Sequence, residues 1–313
     1  MIREIAYENR EEWLKIRGGY IGGSDAGAVV GMNPFRTPFA LWAEKTGKVP
    51  PFEGNITTRV GAHLEDLVAD LFCEETGKKV QKKNRVIVND EYPFACADID
   101  RKVVGERALL EIKTTNSIPV MRRVRGGEYP ETWYCQMVHY LAVTGFERAY
   151  LAVLINCRDF KVYTLERDEA EIKALMDAER TFFRYVETGT EPPTDGFSPT
   201  SEAVAAMFPE SSGDGCVDLH PYDDDLDAFL SYGNQIKQLE TLREEKANRI
   251  KCYMEDAPKG ESDRYSVTWK QSVRLAFDAK KFIADHPDID LDPYWQTIRT
   301  RAFKVRAVNS REQ

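Results

Sequence analysis

The sequence is poor in histidine, with four residues in 313, and its six cysteines, at 73, 96, 135, 157, 216 and 252, never fall at the spacing of a zinc knuckle, a redox dithiol or an iron–sulfur cradle. That absence argues against a structural zinc domain and thiol redox chemistry. Free buried thiols in a reducing compartment are the expectation. No run of about eighteen apolar residues occurs, so the signature of a membrane-spanning helix is missing. The opening MIREIAYENREEW carries acids where a secretory signal would be basic and then apolar. A cytoplasmic protein is therefore expected. No glycine-rich Walker loop occurs, so ATP-driven motion is not indicated.

What is present is ordinary globular composition, 42% hydrophobic and 30% charged, enough for one large core or two smaller ones. The formal charge of -9 speaks against a nonspecific polyanion binder, because such affinity rests on neutralising phosphates. Basic residues nevertheless bunch at Lys78, Lys79, Lys82, Lys83 and Arg85, and again at Arg122, Arg123 and Arg125.

Residues 1–190 alternate helical and strand patterns and read as one domain. Residues 191–222, within a stretch dense in Pro, Gly and Ser, read as a linker. From 223 to 256, Leu226, Phe229, Ile236, Leu239, Leu242, Ile250 and Met254 recur at three- and four-residue steps among many charges, which predicts one long amphipathic helix. RYSVTWKQSVRLAF then alternates like paired strands, and a short helix and a last strand, TRAFKVRAV, complete a 223–313 extension. From Arg264 onward there are ten Lys/Arg against six Asp/Glu, so this tail is locally basic.

In the first domain, Ser24 to Val30 reads as a helix with Ser24 as its cap. Val60 to Thr76 is a helix stopped by Gly77, and Trp133 to Thr144 is another stopped by Gly145. Strands are expected at 85–88, 94–103, 108–114, 149–156 and 160–165. Within ACADIDRKVVGERALLEIKTT, a hairpin turning near Gly105 can hold Asp100, Glu111 and Lys113 on one side, since strand residues two apart share a face. Neighbouring charges on an otherwise apolar strand are costly unless they bind something. Carboxylates that hold magnesium beside a lysine would suit phosphodiester hydrolysis. The motif alone is weak, and its plain alternative is a surface ion pair.

Longer strings sharpen this reading. IGGSDAGAVVGMNPFRTPFALWAEKTG, GAHLEDLVADLFCEETG, PFACADIDRKVVGERALLEIKTT and YCQMVHYLAVTG occur in order across roughly residues 10–190 and resemble the blocks of the YqaJ-type viral recombinase family, lambda-exonuclease-like members of the PD-(D/E)XK nucleases. The resemblance implies an α/β, restriction-endonuclease-like core, a central mixed sheet flanked by helices, to which the long helix and small β-containing extension are appended. It implies a magnesium-dependent deoxyribonuclease, with manganese as a substitute, that degrades linear double-stranded DNA from its ends in the 5'-to-3' direction. Partners would be DNA ends, a phage single-strand annealing protein and further copies of the chain, a trimer being favoured.

Carried over by position, Asp100 resembles the principal metal-ligating aspartate, Glu111 the second acid and Lys113 the lysine. The main-chain carbonyl of Ile112 would be an extra ligand, and Glu65 the helical acid. Asp98, two residues earlier, is the rival for Asp100's role. Gln136 and Tyr140 lie one helical turn apart and would flank the site, though Tyr140 also suits a core aromatic. Arg17 and Ser24 suit a terminal-phosphate pocket at a helix start; an N-cap plus a surface arginine is the simpler account. His63 and His139 are left outside the catalytic set. An endonuclease on the same fold, or a non-catalytic DNA-binding module, are the competing functions.

Overall fold

The computed structural model describes residues 1–51, 53–211, 215–297 and 300–307. Two compact units result, Met1–Phe208 and Pro209 onward.

The first unit opens with β1 (Ile2–Ala6), α1 (Arg10–Gly18), β2 (Ile21–Gly22), α2 (Gly23–Val29), α3 (Pro38–Lys45) and α4 (Ile56–Thr76). Five strands follow: β3 (Val80–Gln81), β4 (Arg85–Asn89), β5 (Tyr92–Ala97), β6 (Arg101–Val103) and β7 (Ala108–Thr115). Then come α5 (Ile118–Arg125), α6 (Glu131–Thr144), β8 (Arg148–Ile155), β9 (Asp159–Glu166), α7 (Glu169–Thr188) and α8 (Ser198–Met207). The strands form a four-stranded sheet, β1-β4-β5-β2, and a five-stranded sheet, β3-β6-β7-β8-β9. Both are mixed: β2 runs parallel to β5 and β7 parallel to β8, while the other pairs are antiparallel.

Strand periodicity decides where the chemistry lies. On β7, Ala108, Leu110 and Ile112 face one way, into a core shared with Val68, Ala69 and Phe72 of α4. Leu109 faces the other way, into the core of α6, α7 and α3. Glu111 and Lys113 alternate with Ile112, so they share Leu109's face, beneath α6. Helix α6 is buried without interruption from Cys135 to Thr144, which explains why it lacks the charged outer stripe of a surface helix. Gly77 and Gly145 close α4 and α6 in the left-handed region, at φ 71° and 65°, as their positions predict.

Several expectations change. The strand expected over 94–103 is broken: β5 ends at Ala97 in one sheet and β6 starts at Arg101 in the other, so Asp98, Ile99 and Asp100 form the crossover. Ser24 is not the cap of its helix. Gly22 is, and Asp25 reaches back to accept from the Gly22 N–H at 3.1 Å. Helix α4 begins four residues early, capped by Asn55, whose side chain accepts from the Thr58 N–H. The proposed linker contains α8, where Ala203 is buried and Thr200 hydrogen-bonds Thr37 at 2.7 Å, so the first unit reaches Phe208. Of the six thiols, Cys96 and Cys135 are buried, Cys73 is half-buried and the other three are exposed; all six are free.

The second unit carries α9 (Asp223–Met254), the expected long helix. Among the described residues a single short hairpin follows, β10 (Lys259–Glu261) with β11 (Ser266–Thr268). The expected second strand through Val273, Leu275 and Phe277 does not pair, and these side chains are exposed. The short helix is present as α10 (Ala279–Asp285). No strand forms over 300–307, and Val308 lies outside the described residues. Met254, the buried residue of α9, lies against Gly260 of the hairpin.

A buried ion cluster ties α2 to α3. Asp25, 2% exposed, pairs with Arg36 at 2.7 Å and Lys45 at 2.9 Å. Burial alone pushes this carboxyl up, but the positive charges of Lys45, Arg36 and Arg17 outweigh it and hold it well below the usual carboxylate range. Asp25→Ala would leave two cations without their buried partner, and urea denaturation should show a loss of about 3–5 kcal/mol. Because the folded value is depressed, the wild-type contribution is complete above the ordinary value of 3.8 and is lost as pH falls below it. An Asp25→Ala protein with wild-type stability at neutral pH would contradict this.

Candidate active site

Glu111, 2% exposed, is held on the central strand with one oxygen satisfied and one not. Its Oε1 accepts from Lys113 Nζ at 2.6 Å, whereas Oε2 is buried with no partner. Lys113 Nζ also donates to Gln136 Oε1 at 2.9 Å, and Gln136 Nε2 donates to the Tyr140 hydroxyl at 3.1 Å. A polar line thus runs from β7 into α6. Tyr140 is buried, and its ring fills the space where Gly23 would carry a side chain: a Cβ there would stand 2.4 Å from Cε1. Gly23 is therefore small because α2 must approach this ring.

Asp100 leaves the crossover beside Glu111, and its Oδ2 accepts from the Ile112 N–H at 2.7 Å. Burial, and then the charge of Glu111, push the Asp100 carboxyl well above its ordinary value, against the opposing pull of Lys113 and of the Ile112 N–H. Burial likewise raises Glu111, partly offset by Lys113. Two carboxylates that disfavour each other's charge, with one orphaned oxygen, are the kind of oxygen donors a hard cation could take. Among the described residues no three Asp, Glu, His or Cys side chains are gathered into a closed metal cage.

The remaining expected residues divide. Glu65 lines a cleft of about 380 Å³ together with Asp98 and Asp100, but its carboxylate is engaged by Arg101 and by Lys82, the latter at 3.0 Å. Asp98 is tied to the N-terminal segment, its Oδ2 accepting from Trp13 Nε1 at 2.6 Å and its Oδ1 from the Tyr7 hydroxyl at 3.5 Å, while its charge still raises Glu111. It does not share a strand face with Asp100, because neither is in a strand. Arg17 reaches Ser24, its Nη2 donating to Oγ. Ile112 meets Asp100 through its N–H, whereas the expectation concerned its carbonyl. His63 is exposed on α4. His139 is fully buried, its Nδ1 at 2.8 Å from Glu179 and its Nε2 at 2.9 Å from the Cys96 carbonyl, so it braces α6 against α7 and β5. Sequence reasoning missed Arg101, Trp13 and Glu179. Of these only Arg101 carried a local signal, an arginine directly after the acidic block.

This is the fold of the alkaline exonucleases. The solved structure of the alkaline exonuclease from Laribacter hongkongensis aligns at a TM-score of 0.51 and 22% identity, over 57% of this chain and 93% of that one. The same enzyme in complex with dAMP gives the same TM-score at 21% identity. The chain itself belongs to the YqaJ-like viral recombinase family. The family's domain matches residues 12–147, a span that holds Arg17, Ser24, Glu65, Asp100, Glu111, Lys113, Gln136 and Tyr140. The protein YqaJ of Bacillus subtilis (strain 168) is 37% identical over 306 residues, 96% of this chain and 95% of its relative. No helix among the described residues is long and apolar enough to cross a membrane.

In metal-free buffer, the raised value of Asp100 has a stability consequence. The unfolded chain releases that proton at the ordinary carboxylate value and the folded chain only at higher pH, so stability falls as pH rises between the two. Asp100→Asn keeps an acceptor for Ile112 and removes the repulsion, so in EDTA it should melt a few degrees higher than wild type at neutral pH. The gap should close at acidic pH. A variant less stable than wild type in EDTA would show that Asp100 is held by structural contacts.

Proposed function

We propose that this chain is a magnesium-dependent DNA exonuclease that degrades linear duplex from its ends in the 5'-to-3' direction, exposing single strands for annealing-based recombination of the phage type. The observation that carries the reading is the pair of carboxylates, half-buried Asp100 and buried Glu111, with Glu111 Oε2 unsatisfied beside a lysine. Family membership supports the recombination setting.

Asp100, Glu111 and the main-chain carbonyl of Ile112 would hold a magnesium or manganese ion, with Glu65 at its margin. A hard ion that keeps several waters and uses one or two carboxylates needs no closed protein cage, which suits this donor set. When bound, the metal supplies Lewis acidity toward the phosphate and lowers the pKa of water. Lys113, held between Glu111 and Gln136, offsets charge that gathers on the attacked phosphate. Gln136 aims that ammonium and is itself aimed by Tyr140, whose hydroxyl stays protonated because burial and the charge of Glu111 push it well above its ordinary value. Arg17 of α1 and Ser24, at the start of α2, grip the terminal phosphate of the strand being digested, which selects ends over internal sites. Freed single strands would pass to an annealing protein, and a homo-oligomer, a trimer by preference, would keep the enzyme on its track.

The test is digestion of end-labelled linear duplex beside closed circular duplex with magnesium, for wild type and Lys113→Ala. Linear DNA should shorten to mononucleotides, circles should persist, and the variant should be slower by at least about 100-fold. Nicked circles would make it an endonuclease. A wild-type protein that binds DNA and cuts neither form would make it a binding module.

A further inference from the structure

The proposed function leaves Asp98 unused, although it is a carboxylate in the cleft beside Asp100. Its surroundings assign it. Both Asp98 oxygens are turned toward the N-terminal segment, Oδ2 to the indole N–H of Trp13 at 2.6 Å and Oδ1 to Tyr7 at 3.5 Å. Trp13 and Arg17 lie one turn apart on α1, and the Arg17 guanidinium carbon sits 5.0 Å from the centroid of the Trp13 ring. On another side Arg17 meets the Gly22 backbone so closely that a Cβ there would stand 2.9 Å from Nε. At its edge it meets the Ser24 hydroxyl.

We infer that Asp98 is a positioning residue for recognition of the DNA end: it fixes the Trp13 ring, and that ring holds the Arg17 guanidinium in its phosphate-gripping pose. An arginine is a long chain with many rotamers, and holding it beforehand removes an ordering cost from binding. An indole anchored by its N–H cannot turn its face away, so the platform beneath Arg17 stays in place. The crossover that carries Asp98 also carries Asp100, two residues on and fastened to the Ile112 N–H. One short segment therefore sets the end-phosphate grip and the carboxylate pair relative to each other. This inference rests on the reading of Arg17 and Ser24 as the phosphate grip.

The experiment compares binding of a short linear duplex with a 5'-phosphate or a 5'-hydroxyl end, by fluorescence anisotropy in EDTA, for the full chain. Wild type should prefer the phosphorylated end by about ten-fold, the worth of one charge-assisted hydrogen bond. Asp98→Ala should bring that ratio close to one. Trp13→Phe, which keeps a ring but loses the N–H, should do the same and serves if Asp98→Ala does not fold. Asp98→Asn, which still offers the indole an oxygen, should keep most of the preference, an outcome that a generally loosened structure would not give. A wild-type ratio retained in both Asp98→Ala and Trp13→Phe would overturn the inference, as would a ratio of one in wild type. Failure of the nuclease reading is seen separately, as absence of magnesium-dependent cleavage by wild type.

Discussion

A carboxylate oxygen buried without a partner, Glu111 Oε2, is the constraint around which this domain is arranged. An isolated apolar strand would not tolerate Glu111 and Lys113 pointing into its core. The protein accommodates them by laying α6 over that face and threading Lys113, Gln136 and Tyr140 into a single hydrogen-bonded line. What the line does not satisfy is the charge of Asp100 beside Glu111, and that deficit is the chemical reason to expect a cation. Stability is set aside at this point, and the surrounding cores and the Asp25–Arg36–Lys45 cluster supply the rigidity that holds the arrangement.

Much of this was legible in the sequence because it depends on local rules. Period two on 108–114 put Glu111 and Lys113 on one face, and helical stripes ended by Gly77 and Gly145 located α4 and α6. Other features depend on contacts between residues far apart in the chain. An unbroken run of strand-forming residues from Phe94 to Val103 conceals the change of sheet at Asp98–Asp100, because the break serves two sheets that a linear pattern cannot show. The Trp13 to Asp98 hydrogen bond spans 85 residues and has no local signature. After Val267, the alternating pattern through Phe277 met no neighbouring strand, and period two without a partner does not make a sheet.

The acidic balance of the chain and its proposed substrate are reconciled by where the basic residues are spent. Lys78 pairs with Glu106, Lys83 with Glu4, Arg123 with Glu131 and Arg125 with Asp159, so the two basic clusters of the sequence are largely matched by acids. Recognition of DNA in this account rests on a few placed groups, Arg17 and Ser24 above all, and less on a broad positive field. It should therefore be local to the strand end.

The central claim, that Asp100 and Glu111 are the seat of a divalent cation, is tested most directly by growing crystals with manganese and recording its anomalous scattering. The account predicts a peak within bonding distance of Asp100 Oδ1 or Oδ2 and of Glu111 Oε2. A peak at Asp98 or Glu65 without these two, or none in the domain, would contradict it.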